Sequence, residues 1–217
     1  ALVRIDKHIS FEHAALFGCG VVTGVGAVIN TASAREEDSI AIVGLGGVGL
    51  SALLASIAIG SKKTIAIDLS NEKLNLAHEL GADHILNPND ANFLERIRDL
   101  TSGGANIAIE TAGSGRALKT AYDITRRGGT TVAAGMPGPK VDITLSHLSI
   151  AAEERIIKGS YMGSCIAHRD IPKYLDMFQT GKLPVDRLLS RKITFEDLNA
   201  AMDRLDDAKT VREVLIP

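Results

Sequence analysis

Cysteine is scarce in this chain of 217 residues: Cys19 and Cys165 stand far apart, and two such residues make no disulfide framework. An excess of one charge is missing as well. With 24 basic against 26 acidic side chains there is no electrostatic basis for binding nucleic acid or an anionic membrane surface. The first residues lack a charged-then-apolar leader, which argues against secretion and makes a cytoplasmic protein the expectation. Internal repeats and low-complexity linkers are also lacking. One uncharged stretch, Ser39 to Ser61, is long enough to cross a bilayer, but it does not read as a membrane span. Gly44, Gly46, Gly47 and Gly49 cluster at its centre, where they would weaken a continuous helix and where a strand, a turn and a new helix need them.

What is present is a pattern. The apolar run Ile40-Ala-Ile-Val43 feeds directly into Gly44-Leu-Gly46-Gly47-Val48-Gly49, and Asp68 closes the next apolar run. That spacing is a dinucleotide-binding fingerprint: the first glycine permits a tight turn, the second lets backbone approach a pyrophosphate, and the third lets the helix pack closely on the sheet. Residues 40–43 read as a buried parallel strand, Val48 to Ile59 as a helix that ends at Gly60, and Thr64 to Asp68 as the next strand. Phosphates would sit at the positive end of that helix. The Asp68 carboxylate would accept hydrogen bonds from the adenosine ribose and repel a 2′-phosphate, which favours NAD over NADP. A nucleotide-free strand-turn-helix is the competing interpretation. Lys73, on the next helix, would lie beside the ribose and support the Asp68 carboxylate, or else be an ordinary solvated lysine.

The alternation continues with a helix over about 71–80 capped by Ser70, a strand at 84–86, a helix near 91–100 and a strand at 106–110. A helix from about 115 to 126 then leads through Gly128-Gly129 into a fifth strand at 130–134, and 156–161 is a sixth. The expected fold is therefore α/β, a doubly wound six-stranded parallel sheet. Both ends depart from the alternation. Residues 1–20 hold a short apolar helix, 21–34 a connecting helix, and the tail a helix started by Asp170 and Pro172, a strand near 190–194, a helix over 196–205 and a strand over 211–216. These flanks read as pieces of a second domain.

Gly18-Cys19-Gly20-Val-Val-Thr23-Gly24-Val-Gly26, Gly44 to Leu50, Gly81-Ala-Asp and Lys158-Gly-Ser-Tyr-Met-Gly163 follow one another in an order that resembles the zinc-dependent medium-chain alcohol dehydrogenases, over essentially the whole chain. The resemblance is nearest to the bacterial and class III-like branch acting on primary, aryl or glutathione-linked alcohols. It implies a catalytic-domain remnant at 1–20, an NAD-binding Rossmann domain with its connecting helix at 21–163, and a return into the catalytic domain at 164–217. It implies hydride transfer between a small alcohol or aldehyde and NAD, and a homo-oligomer formed through the edge strand. Cys19 matches one zinc ligand, with a small buried thiol as the alternative. Thr23 matches a nicotinamide contact and also suits a helix N-cap. Thr111 and Ala112 after the fourth strand, with Ala134, Gly135 and Met136 after the fifth, match nicotinamide-side backbone contacts, although Met136 alone also suits core packing. Tyr161 and Met162 match positions near a substrate pocket, and Arg212 matches a pyrophosphate-binding arginine.

The family's pattern is not complete. The catalytic zinc of the family also needs a Gly-His-Glu histidine and a second cysteine, and neither that motif nor the four-cysteine lobe of a structural zinc occurs here. Cys19 alone cannot hold a catalytic zinc, which takes about three protein ligands. His8 and His13, close by in sequence, read as surface residues. Ala1 is not an initiator Met and the chain opens inside a recognisable domain, so the sequence reads as a truncated enzyme, inactive alone. A stand-alone NAD-binding sensor or interaction module, and a zinc-free reductase of the same superfamily, are the alternatives.

Overall fold

The computed structural model describes residues 2–206 and 210–216; Ala1, with the reading placed on it, lies outside them. In chain order the elements are α1 (Phe11–Leu16), α2 (Gly20–Gly26) continued by a π-helical turn (Ala27–Ala32), β1 (Ser39–Val43), α3 (Gly47–Ala58), β2 (Lys63–Ile67), α4 (Asn71–Glu79) and β3 (His84–Leu86). Then come α5 (Phe93–Thr101), β4 (Ala105–Glu110), α6 (Gly115–Ile124), β5 (Thr125–Ala133), α7 (His147–Glu153) and β6 (Ile156–Gly159). The tail adds α8 (Ala167–Gln179), β7 (Leu189–Ile193), α9 (Leu198–Asp206) and β8 (Arg212–Leu215).

β1 to β6 form one six-stranded sheet in the order β3-β2-β1-β4-β5-β6, every pair parallel. This is the expected doubly wound fold. Because helices cover both faces, the central strands are apolar on both sides and alternate between two cores. Ile40, Ile42, Ala66, Ile107 and Ile109 point into one cluster with Leu50, Leu53 and Leu54 of α3. Ala41, Val43, Ile65, Ile67 and Ala108 point into the other, with Phe93, Ile97 and Ile124 of α5 and α6. The flanks share the first core: Leu16, Phe17, Tyr174, Leu188 and Val214 belong to the same apolar cluster as α3. β7 and β8 make a separate parallel pair.

Several boundaries differ from the sequence reading. β5 begins at Thr125 rather than 130, because Thr125 pairs with Ala105 and the chain then bulges through 126–129 before Thr130 resumes opposite Ile107. Gly128-Gly129 thus sits in a bulge and does not precede the strand. The connecting helix starts at Gly20, so Thr23 lies inside it and is no N-cap; its hydroxyl donates back to the Cys19 carbonyl at 2.8 Å. α8 starts at Ala167, before Asp170, and α7, capped by Ser146, had no counterpart in the reading. Among the described residues no helix is long and apolar enough to cross a membrane.

A polar knot ties the π-helical turn to the tail. Asn30 donates to Asp170 and to the Gly163 carbonyl, each at 3.2 Å, while Asp170 accepts the Ile166 N–H at 2.8 Å and a two-point contact from Arg169. The Arg169 guanidinium, with the Ile166 N–H and Asn30, holds the Asp170 carboxyl below its usual range despite burial. A depressed carboxylate stabilises the fold above its ordinary pKa of about 3.9 and loses that contribution as pH falls through the lowered value. Asp170→Asn is therefore expected to cost about 2 kcal/mol near neutrality and to flatten the acid limb of stability, read by thermal melts from about pH 6 to about pH 2.

Candidate functional site

The strand order reverses between β1 and β4, so their carboxyl ends splay apart into a crevice at the topological switch point. The glycine turn lies there. Gly44 follows β1 at φ +95°, a backbone state that suits glycine, and a β-carbon on it would stand 2.8 Å from that of Ala112. Gly49 is tighter still: a β-carbon there would come within 1.9 Å of the Gly44 carbonyl oxygen and 2.7 Å of the Thr111 hydroxyl. That hydroxyl donates to the Gly44 oxygen at 2.7 Å, so the end of β4 is fastened to the turn. Gly46 has open space where a side chain would stand, and α3 begins at Gly47 with no acidic residue in its first turn. The N–H groups of its first turn, those of Gly47 and Val48 among them, have no acceptor within the helix.

Asp68, half-buried just after β2, holds the other side of the turn. One carboxylate oxygen accepts the Leu45 N–H at 2.7 Å and the other the Ser70 N–H at 2.9 Å. Val43, Asp68, Lys73, Ala112 and Arg116 line a cleft of about 230 Å³ beside it. Lys73 shares that cleft, but among the described ion pairs none joins it to Asp68, whose partners are backbone N–H groups.

Arg212, at the start of β8, reaches the same turn from the far end of the sequence. A β-carbon on Gly47 would lie 2.3 Å from its Nε, and one on Gly20 only 1.6 Å from a terminal nitrogen. Its guanidinium therefore lies against the first residues of both α2 and α3, where helix dipoles are positive. No carboxylate among the described ion pairs matches it. Three positive features converging without a protein anion suit a bound phosphate group.

Ala134, Gly135 and Met136 follow β5 and meet the loop after β4: a β-carbon on Gly113 would stand 2.8 Å from the Met136 carbonyl oxygen. The Met136 side chain is 77% exposed, so the core-packing alternative fails; it projects from a loop beyond the strand end. Cys19 is exposed too, against the buried-thiol alternative: it stands with Gly18 just before α2, whose own residues are all buried. His13 is half-buried with its ring edge-on to Phe178 at 5.0 Å, rather than a surface residue. Thr23 contacts the Met162 sulfur at 3.9 Å, and Tyr161 beside it is exposed.

No three His, Cys, Asp or Glu residues come together as a metal site among the described residues. The residues present do not fit a catalytic zinc, since Cys19 lacks co-ligands. One residue of interest escaped the sequence reading: Glu110, the last residue of β4, is buried, and an acid closing the apolar run Ile107-Ala108-Ile109 was its available signal.

A six-stranded parallel sheet with a glycine turn and a basic side chain over a helix start at its switch point defines a dinucleotide-binding α/β protein. Residues 47–180 match the family model described as zinc-binding dehydrogenase, and the chain belongs to that family, whose members bind NAD or NADP. It is similar to a geraniol dehydrogenase of Castellaniella defragrans (33% identical over 99% of this chain and 57% of that protein). It is equally similar to the alcohol dehydrogenase class-2 isozyme 2 of Oryctolagus cuniculus (34%, with 99% and 57% covered). The crystal structure of benzyl alcohol dehydrogenase from Acinetobacter calcoaceticus superposes with a TM-score of 0.94 at 31% identity, covering 98% of this chain and 59% of that one. The chain thus spans somewhat more than half the length of these relatives.

Because the Gly49 contact is with backbone, Gly49→Ala cannot be relieved by a rotamer change. It is expected to lower stability by about 2–3 kcal/mol, measured by denaturant unfolding, while Gly46→Ala, which meets open space, leaves stability within about 1 kcal/mol of the parent.

Proposed function

We propose that these 217 residues are the NAD-binding portion of an enzyme that moves a hydride between a small alcohol or aldehyde and NAD. The observation that carries the reading is the Arg212 guanidinium, without a carboxylate partner among the described ion pairs, over the N-terminus of α3 and beside a glycine turn with open space at Gly46. NAD, when bound, supplies the hydride acceptor. The chain's own residues bind and orient it. The first-turn N–H groups of α3 and the Arg212 fork take the pyrophosphate, and Asp68 uses its remaining lone pairs on the adenosine ribose hydroxyls. Its negative charge opposes a 2′-phosphate, which supports NAD over NADP. Thr23, Thr111, Ala112, Ala134, Gly135 and Met136 border the nicotinamide end, and Lys73 the adenosine end.

The domain division at residues 20 and 163 and the assignment to alcohol chemistry belong to the same proposal. With Cys19 as the single candidate zinc ligand, the 217 residues are expected to bind NAD without oxidising alcohols. Self-association through β6 is part of it as well: this edge strand leaves Ile156 and Ile157 45% and 41% exposed, and an unpaired apolar edge suits pairing with a second copy.

Titration calorimetry should find NADH bound at least about tenfold more tightly than NADPH, with Asp68→Ala erasing the difference and Arg212→Ala weakening both by about tenfold. Equal affinity of the parent chain for the two would refute the Asp68 assignment. Ile156→Lys, at the β6 edge, should convert an oligomer to monomer in sedimentation without altering NADH affinity.

A further inference from the structure

Among the described residues the acidic side chains of Glu110, Asp170 and Glu213 are buried, the last against Arg204, and they are treated differently. Asp170 is met by Arg169, whereas Glu110 has no basic partner among the described residues. Backbone surrounds Glu110 instead. Its Oε1 accepts the Gly113 N–H at 2.5 Å, and the nearby N–H dipoles of Ala112, Ser114 and Gly135 also favour the charged form, although the Gly135 N–H itself donates to the Glu110 main-chain carbonyl at 3.0 Å. Burial outweighs that pull and pushes its pKa up. The loop after β4 and the loop after β5 touch directly above it. A β-carbon on Gly135 would be 2.3 Å from the Gly113 nitrogen and 2.7 Å from the Glu110 Oε1, so the two backbones and the carboxylate meet at one point. Below lies a cavity of about 350 Å³ bordered by Leu118, Ala133, Val141 and Asp142, the last being its one other ionisable residue.

An uncompensated buried carboxylate is costly, and an apolar side chain of similar size would seal the same corner without that cost. What the carboxylate adds is a fixed point between two loops: it accepts the Gly113 N–H of one and lies against the Gly135 backbone of the other. We propose that Glu110 is a positioning residue for the nicotinamide end of the coenzyme site. It sets the spacing between the Ala112–Gly113 backbone and the Ala134–Gly135 backbone. Among the described hydrogen bonds and ion pairs its carboxylate makes none with Asp68 or Arg212, to which the adenosine and pyrophosphate are assigned. This inference rests on the NAD reading given above.

The test compares NADH with ADP-ribose, which lacks the nicotinamide, on the full 217-residue chain by titration calorimetry. Glu110→Gln keeps the shape and one acceptor but turns an amide donor toward N–H groups; Glu110→Ala removes the fixed point. The expected result is an NADH affinity lowered about fivefold in Glu110→Gln and more than about tenfold in Glu110→Ala, with ADP-ribose affinity within about twofold of the parent in both. A purely structural role would weaken the two ligands together, and that outcome, or no change for either, overturns the inference. Should Glu110→Ala not fold, Glu110→Gln alone decides by the same criterion. A parent chain that binds neither ligand overturns the NAD reading and this inference with it, whereas a parent that binds both and variants that fail the comparison overturn this inference alone.

Discussion

The contact between the third glycine of the turn and the carbonyl of the first is the constraint on which the rest of the site depends. With nothing but hydrogen on the Gly49 α-carbon, α3 can start almost on top of β1, and the Thr111 hydroxyl then bridges to the same Gly44 carbonyl from the neighbouring strand. A helix displaced by even one methyl group would lift its N–H groups away from the crevice and break the link between β1 and β4. The Asp68 contact with Leu45 fixes the turn from the β2 side in the same manner. Three strand ends are therefore held to one another through a single turn of backbone. Coenzyme chemistry at this place needs little beyond what the packing of helix on sheet already requires.

Much of this was legible in the sequence, for identifiable reasons. Ile40 to Val43 and Ala105 to Glu110 show as strands because strands covered on both faces must be apolar throughout, and glycines or helix caps punctuate every crossover. Gly44, Gly49 and Asp68 stand out by their fixed spacing, whereas Arg212, far away in sequence, is pointed to by the family resemblance alone. What remained hidden depends on contacts distant in sequence. The early start of β5 follows from the pairing of Thr125 with Ala105, which no local pattern encodes, and the Gly128-Gly129 pair imitates a loop because a bulge uses the same residues. α7 escaped because it has no buried face to impose a helical period. The exposure of Cys19 and Met136 could not be read from residue type, since both are apolar in preference and are held out by the loops that carry them.

The polar interior is divided between two tasks. On the side of the flanks, Asn30, Asp170 and Arg169 form a matched network that joins the π-helical turn to α8, and the burial of Tyr174 beside it, near Asp170, pushes that phenol up to about 12. This network holds the tail against the sheet and involves no residue of the glycine turn. At the switch point, by contrast, no side chain of opposite sign among the described residues matches the charge: Glu110 meets backbone donors and Arg212 the starts of two helices. Matched charge fixes the architecture, and unmatched charge lies where the crevice opens.

Arg212 has a temporal consequence. The glycine turn, α3 and Asp68 precede the remaining strands of their sheet, which are complete by Gly159, but the guanidinium that lies over the turn arrives only at residue 212, on the second strand of a small separate sheet. During synthesis the sheet can therefore assemble with its crevice open and the guanidinium over its turn not yet made. On the function proposed above, tight capture of a dinucleotide would wait for β8, and a nascent protein stalled before it would present a folded Rossmann sheet that holds its coenzyme weakly.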